Sequence, residues 1–182
     1  MPHSTHHPPG DTARDPRVGD FLLAGIKEQG VVSWAIKLGS WLRRYEAPFR
    51  RFSHVSLVIS EDGTLAQARA GGVELSALDR YEADDYVLVR TGVDDHDREQ
   101  VLAFARSVLE ARTKYGFATI FGLVIYCFTG AQLCIQQAGT AICSGFVCDA
   151  LTRAGYIWPR PPFAMMPADL ARYFDVRGEP IA

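Results

Sequence analysis

Apolar positions along the chain alternate over some stretches and recur at helical spacing over others, and the two periods divide the sequence into elements. Residues 18–24 read as a strand that Gly19-Asp20 turns into. Residues 28–45 carry Val31, Trp34, Ile36, Leu38, Trp41 and Leu42 at helical spacing, with Trp34 and Trp41 seven apart on one face. Residues 52–60 read as a strand, Glu61-Asp62-Gly63-Thr64 as a hairpin turn, and residues 65–70 as the returning strand. Gly71-Gly72 predicts a turn or bulge, followed by short strands over 73–75 and 86–91. Asp94 or Asp95 then caps a helix over 97–112, whose buried stripe is Val101, Phe104, Ala105, Val108 and Leu109. A further helix runs from about residue 142 to 154 with Val147, Leu151 and Ala154 on its apolar face, and Gly155 supplies a left-handed stop. Pro167 opens a closing helix bearing Leu170, Ala171 and Phe174.

This order of elements predicts an α+β fold, a central antiparallel sheet packed against the 142–154 helix. The chain of 182 residues suits one domain, over 16–182, behind a Pro- and His-rich tail at 1–15 that is expected to be disordered. His3, His6 and His7 read as polar tail residues rather than metal ligands, and His96 as a surface residue in an acidic cap. A net charge of −2 offers no basic field for nucleic acid. The four cysteines, Cys127, Cys134, Cys143 and Cys148, form no C-x-x-C pair, so a structural zinc site is not expected, and the thiol chemistry described below implies no metal or organic cofactor. The longest apolar run, 117–128, is about 12 residues, short of the ~20 that span a bilayer. It reads as a buried helix or the wall of an acyl pocket. With no h-region near the N-terminus, the expected location is cytoplasmic, with export by a non-standard route as the alternative.

The chemistry concentrates at Ile142-Cys143-Ser144-Gly145-Phe146-Val147. Cys143 falls on the first turn of a helix, where unpaired N–H groups and the helix dipole favour a thiolate, so its pKa is expected to be lowered. On strand 52–60, His54 shares a face with Ser56 and Val58. A two-residue turn at Asp62-Gly63 would set Val58 opposite Gln67 and bring Gln67 to that same face; a three-residue turn would send it to the other.

Cys143-Ser144-Gly145-Phe146-Val147 resembles the nucleophile motif of the NlpC-type cysteine peptidases, a branch of the papain-like superfamily, with Ile142 standing where the family usually has Asp. Val18-Gly19-Asp20-Phe21-Leu22 resembles the family's Gly-Asp-Leu strand entry, and His54-Val55 its His-led strand. Glu61-Asp62-Gly63, Gln67-Ala68 and Gly71-Gly72-Val73 resemble its turn and returning strand, and Thr113-Lys114-Tyr115-Gly116 its Tyr-containing turn. The family's order is Cys before His; here no His follows His96. The chain is therefore similar to circularly permuted members, the YiiX/YebB group, and more distantly to the lecithin-retinol acyltransferase group, over roughly residues 16–176.

That resemblance implies Cys143 as nucleophile, His54 as general base and Gln67 as the residue orienting the imidazole. It implies a thiol amidase or peptidase working through a thioester, on cell-wall peptide or similar small amides. Tyr115, Ser144, Trp34 and Trp41 are candidate substrate contacts, and Gln137, six residues before Cys143, has the spacing of a papain-like oxyanion Gln. Two alternatives stand beside it: a lipid acyl hydrolase or acyltransferase of the same fold, with Arg43, Arg44, Arg50 and Arg51 meeting anionic groups at a membrane surface, and a non-catalytic binding module.

Overall fold

The structure is a computed structural model, and it describes residues 2–25, 38–69, 71–115 and 140–177. Six strands form one antiparallel sheet: β1 (His3–His7), β2 (Phe21–Ala24), β3 (His54–Val58), β4 (Thr64–Arg69), β5 (Gly72–Ala77) and β6 (Tyr86–Arg90), in the order β1-β6-β2-β3-β4-β5. Besides a helical stretch at 38–42, it is accompanied by α1 (Ala47–Arg50), α2 (Asp95–Glu110), α3 (Cys143–Thr152) and α4 (Pro167–Tyr173). A two-residue parallel pair, β7 (Lys114–Tyr115) with β8 (Thr140–Ala141), lies directly ahead of α3. The mixed α and β content and antiparallel sheet are those expected from the sequence.

Strand alternation gives the sheet two covered faces. Phe21, Leu23, Val55, Leu57, Ala66, Ala68, Val87 and Val89 join one core with Cys143, Phe146, Val147, Ala150 and Leu151 of α3 and Val101 and Ala105 of α2. Leu22, Ala24, Val58, Leu65, Tyr86 and Leu88 form a second cluster with Ala13, Leu78 and Tyr81. The second face thus has no long helix over it among the described residues; a 3₁₀ turn at Leu78–Tyr81 covers it. β2, β3 and β6 are buried on both sides, which explains why β2 and β6 are apolar almost throughout; the polar His54 and Ser56 of β3 are buried with hydrogen-bond partners.

The tail expected to be disordered is partly ordered. Residues 3–7 form β1, pairing with β6 from His3 opposite Arg90 to His7 opposite Tyr86. Polar composition suggested disorder, but an edge strand draws its stability from backbone hydrogen bonds that side-chain polarity does not forbid. His7 stacks on Tyr86 with ring centroids 5.0 Å apart, and the Tyr86 hydroxyl accepts from the Ala13 amide at 2.8 Å.

Chain punctuation follows the sequence closely in places. Asp94 caps α2 by accepting from the Asp97 amide at 2.9 Å. Gly155 takes φ +78° after α3, and the Tyr156 amide reaches back to the Leu151 carbonyl at 3.2 Å, closing a Schellman turn. Pro167 begins α4. Asp20, buried at the entry to β2, accepts from the Arg17 and Thr91 amides, clamping β2 to the end of β6. The helix predicted over 28–45 lies largely outside the described residues. Its described part is helical over 38–42 and ends early, because Arg44 adopts φ +54° and the Tyr45 amide bonds the Ser40 carbonyl at 3.3 Å. Pro48 then falls in the first turn of the separate α1.

Candidate active site

The turn between β3 and β4 is wider than a two-residue hairpin. Ile59 donates to the Thr64 carbonyl at 2.9 Å, Gly63 donates to that of Ser60 at 3.2 Å with φ +86°, and the Asp62 carboxylate accepts from the amide and hydroxyl of Thr64. The loop therefore comprises residues 60–63, and Val58 pairs with Leu65 rather than with Gln67. The register slips by two, which preserves the side-chain face. Gln67 accordingly still arrives beside His54 and Ser56, where the alternation argument put it.

Gln67 is fully buried, and its Oε1 is the hub of a polar cluster. It accepts from His54 Nε2 at 2.9 Å and from the Tyr81 hydroxyl at 2.7 Å, while the Ser56 hydroxyl lies 3.2 Å from it and 2.9 Å from the Tyr81 oxygen. One assignment of protons satisfies every group: His54 and Tyr81 fill the two lone pairs of the amide oxygen, and Ser56 donates to Tyr81. Tyr81 was not singled out from the sequence; it comes from a 3₁₀ turn between strands, and nothing in its local sequence announces the contact. Its ring also stacks on that of His54 at 6.5 Å.

An amide oxygen can only accept, so Nε2 of neutral His54 carries the proton and Nδ1 holds the lone pair. No described residue hydrogen-bonds Nδ1. Burial pushes the imidazole pKa down to about 4; the Gln67 bond opposes this, and the positive charges of Arg69 and Arg80 add to it. His54 is thus a neutral base over the ordinary pH range.

Cys143 opens α3, following Ile142 at the cap position. β8 leads into it, and the backbone of Tyr115 pairs with that of Ala141 two residues before the thiol. The sulfur lies within reach of the backbone amides of Val55, Ser144 and Cys143 itself, which favour the thiolate. Burial outweighs them and raises the thiol pKa, because Cys143 is only 2% exposed. The expected lowering at a helix N-terminus is therefore reversed: amide dipoles at a helix start do not offset the loss of water around a sealed thiolate. The resting pair is a neutral thiol and a neutral imidazole.

His54 stands on β3, and the Cys143 thiol, carried by α3, lies against the amide of the next β3 residue, Val55. Cys143 belongs to the core faced by Val55 and Leu57, whereas the His54 ring turns to the Tyr81 side, and no hydrogen bond joins the two among the described residues. The orienting pair predicted from the sequence is formed; the nucleophile–base contact is not.

The other candidates separate. Ser144 is buried; its hydroxyl donates to the Met165 carbonyl at 2.6 Å, tying α3 to the segment before α4, and also lies beside the Cys143 thiol. Trp41 is 61% exposed. The Tyr115 side chain, Trp34, Gln137 and the apolar run 117–128 lie outside the described residues. Of the arginines, Arg51 pairs with Asp85, and Arg43 lies 3.7 Å from Asp169, so both are engaged inside the protein. No group of three or more His, Cys, Asp or Glu side chains suited to a metal occurs among the described residues, nor does a helix long and apolar enough to cross a membrane.

The sequence matches no protein-family model and no curated protein.

Proposed function

We propose that the chain is a cysteine hydrolase, a thiol amidase or peptidase with a circularly permuted NlpC-type fold, acting on cell-wall peptide or similar small amide bonds. The observation that carries this reading is the Gln67–His54 bond, which fixes a bare Nδ1 on the residue next to Val55, whose amide faces the Cys143 sulfur. In the reaction Nδ1 takes the Cys143 proton as sulfur attacks the substrate carbonyl, and the imidazolium returns it to the leaving amine; water then releases the acyl group from the thioester. The first-turn amides of α3 are the donors available to the developing oxyanion. Because the thiol and imidazole do not touch at rest, the His54 ring must turn about its side-chain bonds for the transfer. Catalytic contacts that are long in the free enzyme commonly tighten once substrate is bound.

The test is hydrolysis of muropeptide substrates by the full chain, with Cys143→Ala and His54→Ala alongside. Release of a new amine that both substitutions abolish supports the reading. Equal activity in Cys143→Ala overturns it.

A further inference from the structure

We propose that Glu74 is a positioning residue that selects the tautomer of His54 through Gln67; its catalytic meaning rests on the function proposed above, but its action on the imidazole does not. Gln67 of β4 and Glu74 of β5 are direct register partners across the sheet. The Gln67 amide nitrogen donates to Glu74 Oε1 at 3.3 Å, on the side away from His54.

An amide can be turned end for end with little change of shape, so something must decide which end faces the imidazole. The Ser56 hydroxyl does not decide it, because a hydroxyl donates or accepts with equal ease; Tyr81, with Arg69 hydrogen-bonded to its oxygen, leans toward donating to the oxygen end, and Glu74 fixes the nitrogen end. A carboxylate only accepts, so the NH₂ group points to Glu74 and the oxygen points to His54. That oxygen also only accepts, so His54 carries its proton on Nε2 and leaves Nδ1 bare. Removing the carboxylate frees the amide to turn, and an NH₂ group facing Nε2 would drive the proton to Nδ1. The base would then be capped at the nitrogen that has to receive the thiol proton.

Glu74 is itself held in place. Arg69 Nε and Arg80 Nη1 each lie 3.9 Å from its Oε1, and both charges act on His54. Glu74 is 43% exposed while Gln67 and His54 are buried, so the link runs from solvent to the imidazole in two hydrogen bonds.

The experiment is long-range proton–nitrogen correlation on the ¹⁵N-labelled full chain near neutral pH, with His54 resonances identified by their loss in His54→Gln. The unaltered protein is expected to show His54 protonated on Nε2 alone. Glu74→Ala is expected to bring in a second His54 population protonated on Nδ1. Glu74→Gln, whose own amide can offer either end to Gln67, is expected to fall between the two, with a smaller Nδ1–H population than Glu74→Ala. An Nδ1–H tautomer in the unaltered protein, or an unchanged tautomer in Glu74→Ala, overturns the proposal. The readout needs no substrate, so an inactive protein whose tautomer responds to Glu74 would dismiss the hydrolase reading and leave this one standing.

Discussion

His54 and Cys143 meet the same strand from opposite sides: the imidazole stacks on Tyr81, and the thiol lies against the amide of the next residue, Val55, within the other core. Strand alternation imposes this, since adjacent side chains leave a sheet in opposite directions. With His54 on one face of the strand and Cys143 packed under the other, the sheet holds the two side chains apart. Neutral resting states follow, with the thiol raised and the imidazole lowered by burial.

Thiol reactivity should report that sheltering. At mildly acidic pH, Cys143 is expected to alkylate more slowly in the folded chain than in urea, since burial raises its pKa and so lowers the thiolate fraction. Mass spectrometry of the labelled peptide measures it. His54→Ala should leave that resting rate little changed, while the proposed hydrolysis should fall by about a thousandfold, the scale of a lost general base. Rapid acid-pH labelling that depends on His54 would instead mean a preformed ion pair.

Stability should fall on acidification through the His54 titration. The unfolded chain takes up a proton on His54 near its ordinary value of about 6.5, whereas the native imidazole, lowered to about 4, does not. The unfolded state therefore binds more protons in that window, and native stability is lost progressively between these two pH values, by up to about 3 kcal/mol. Urea midpoints across that range check it. His54→Gln should flatten the slope.

How much of this was legible in the sequence depended on whether a local rule or a packing event decided it. Asp94, Gly155 and Pro167 mark helix ends by local chemistry and do so in the structure. The face of Gln67 was legible because parity survives a two-residue slip, whereas its partner was not, because the loop at 60–63 depends on the Asp62–Thr64 bonds. β1 was hidden, since its pairing is with β6 some eighty residues away and leaves little apolar signature. The Cys143 pKa was misjudged for a similar reason: helix position is written locally, burial by distant strands is not. Tyr81 and Glu74 belong to the site only through tertiary register.

Asp169 offers a test of the packing between the 38–50 region and α4. Its carboxylate, 8% exposed, accepts from the Met166 amide at 2.9 Å, from the Tyr45 hydroxyl and from Arg160 at 3.2 Å, with Arg43 3.7 Å away. Burial and this neighbouring carboxylate push the Tyr45 hydroxyl up to about 12, so it stays a donor. Asp169→Ala would leave a buried hydroxyl, a helix-start amide and two guanidiniums without their shared acceptor. The expected loss is about 3 kcal/mol, read as a lower urea midpoint at constant slope.

Gly145 sets helix propensity against packing. In a helix interior, Gly→Ala ordinarily gains about 1 kcal/mol. At this position a Cβ would meet the Pro162 carbonyl oxygen at 3.2 Å, Ile142 Cγ1 at 3.0 Å and Phe163 Cα at 3.5 Å. Two of those atoms are backbone and cannot swing aside, and α3 is already anchored to the following segment by the Ser144–Met165 bond. Overpacking of this kind costs about 1–3 kcal/mol, so the clash should exceed the propensity gain. Gly145→Ala is expected to lower stability by about 1 kcal/mol in thermal or urea unfolding. A stabilised variant would mean that the 162–163 segment can retreat from α3, and with it the cover over the helix that carries Cys143.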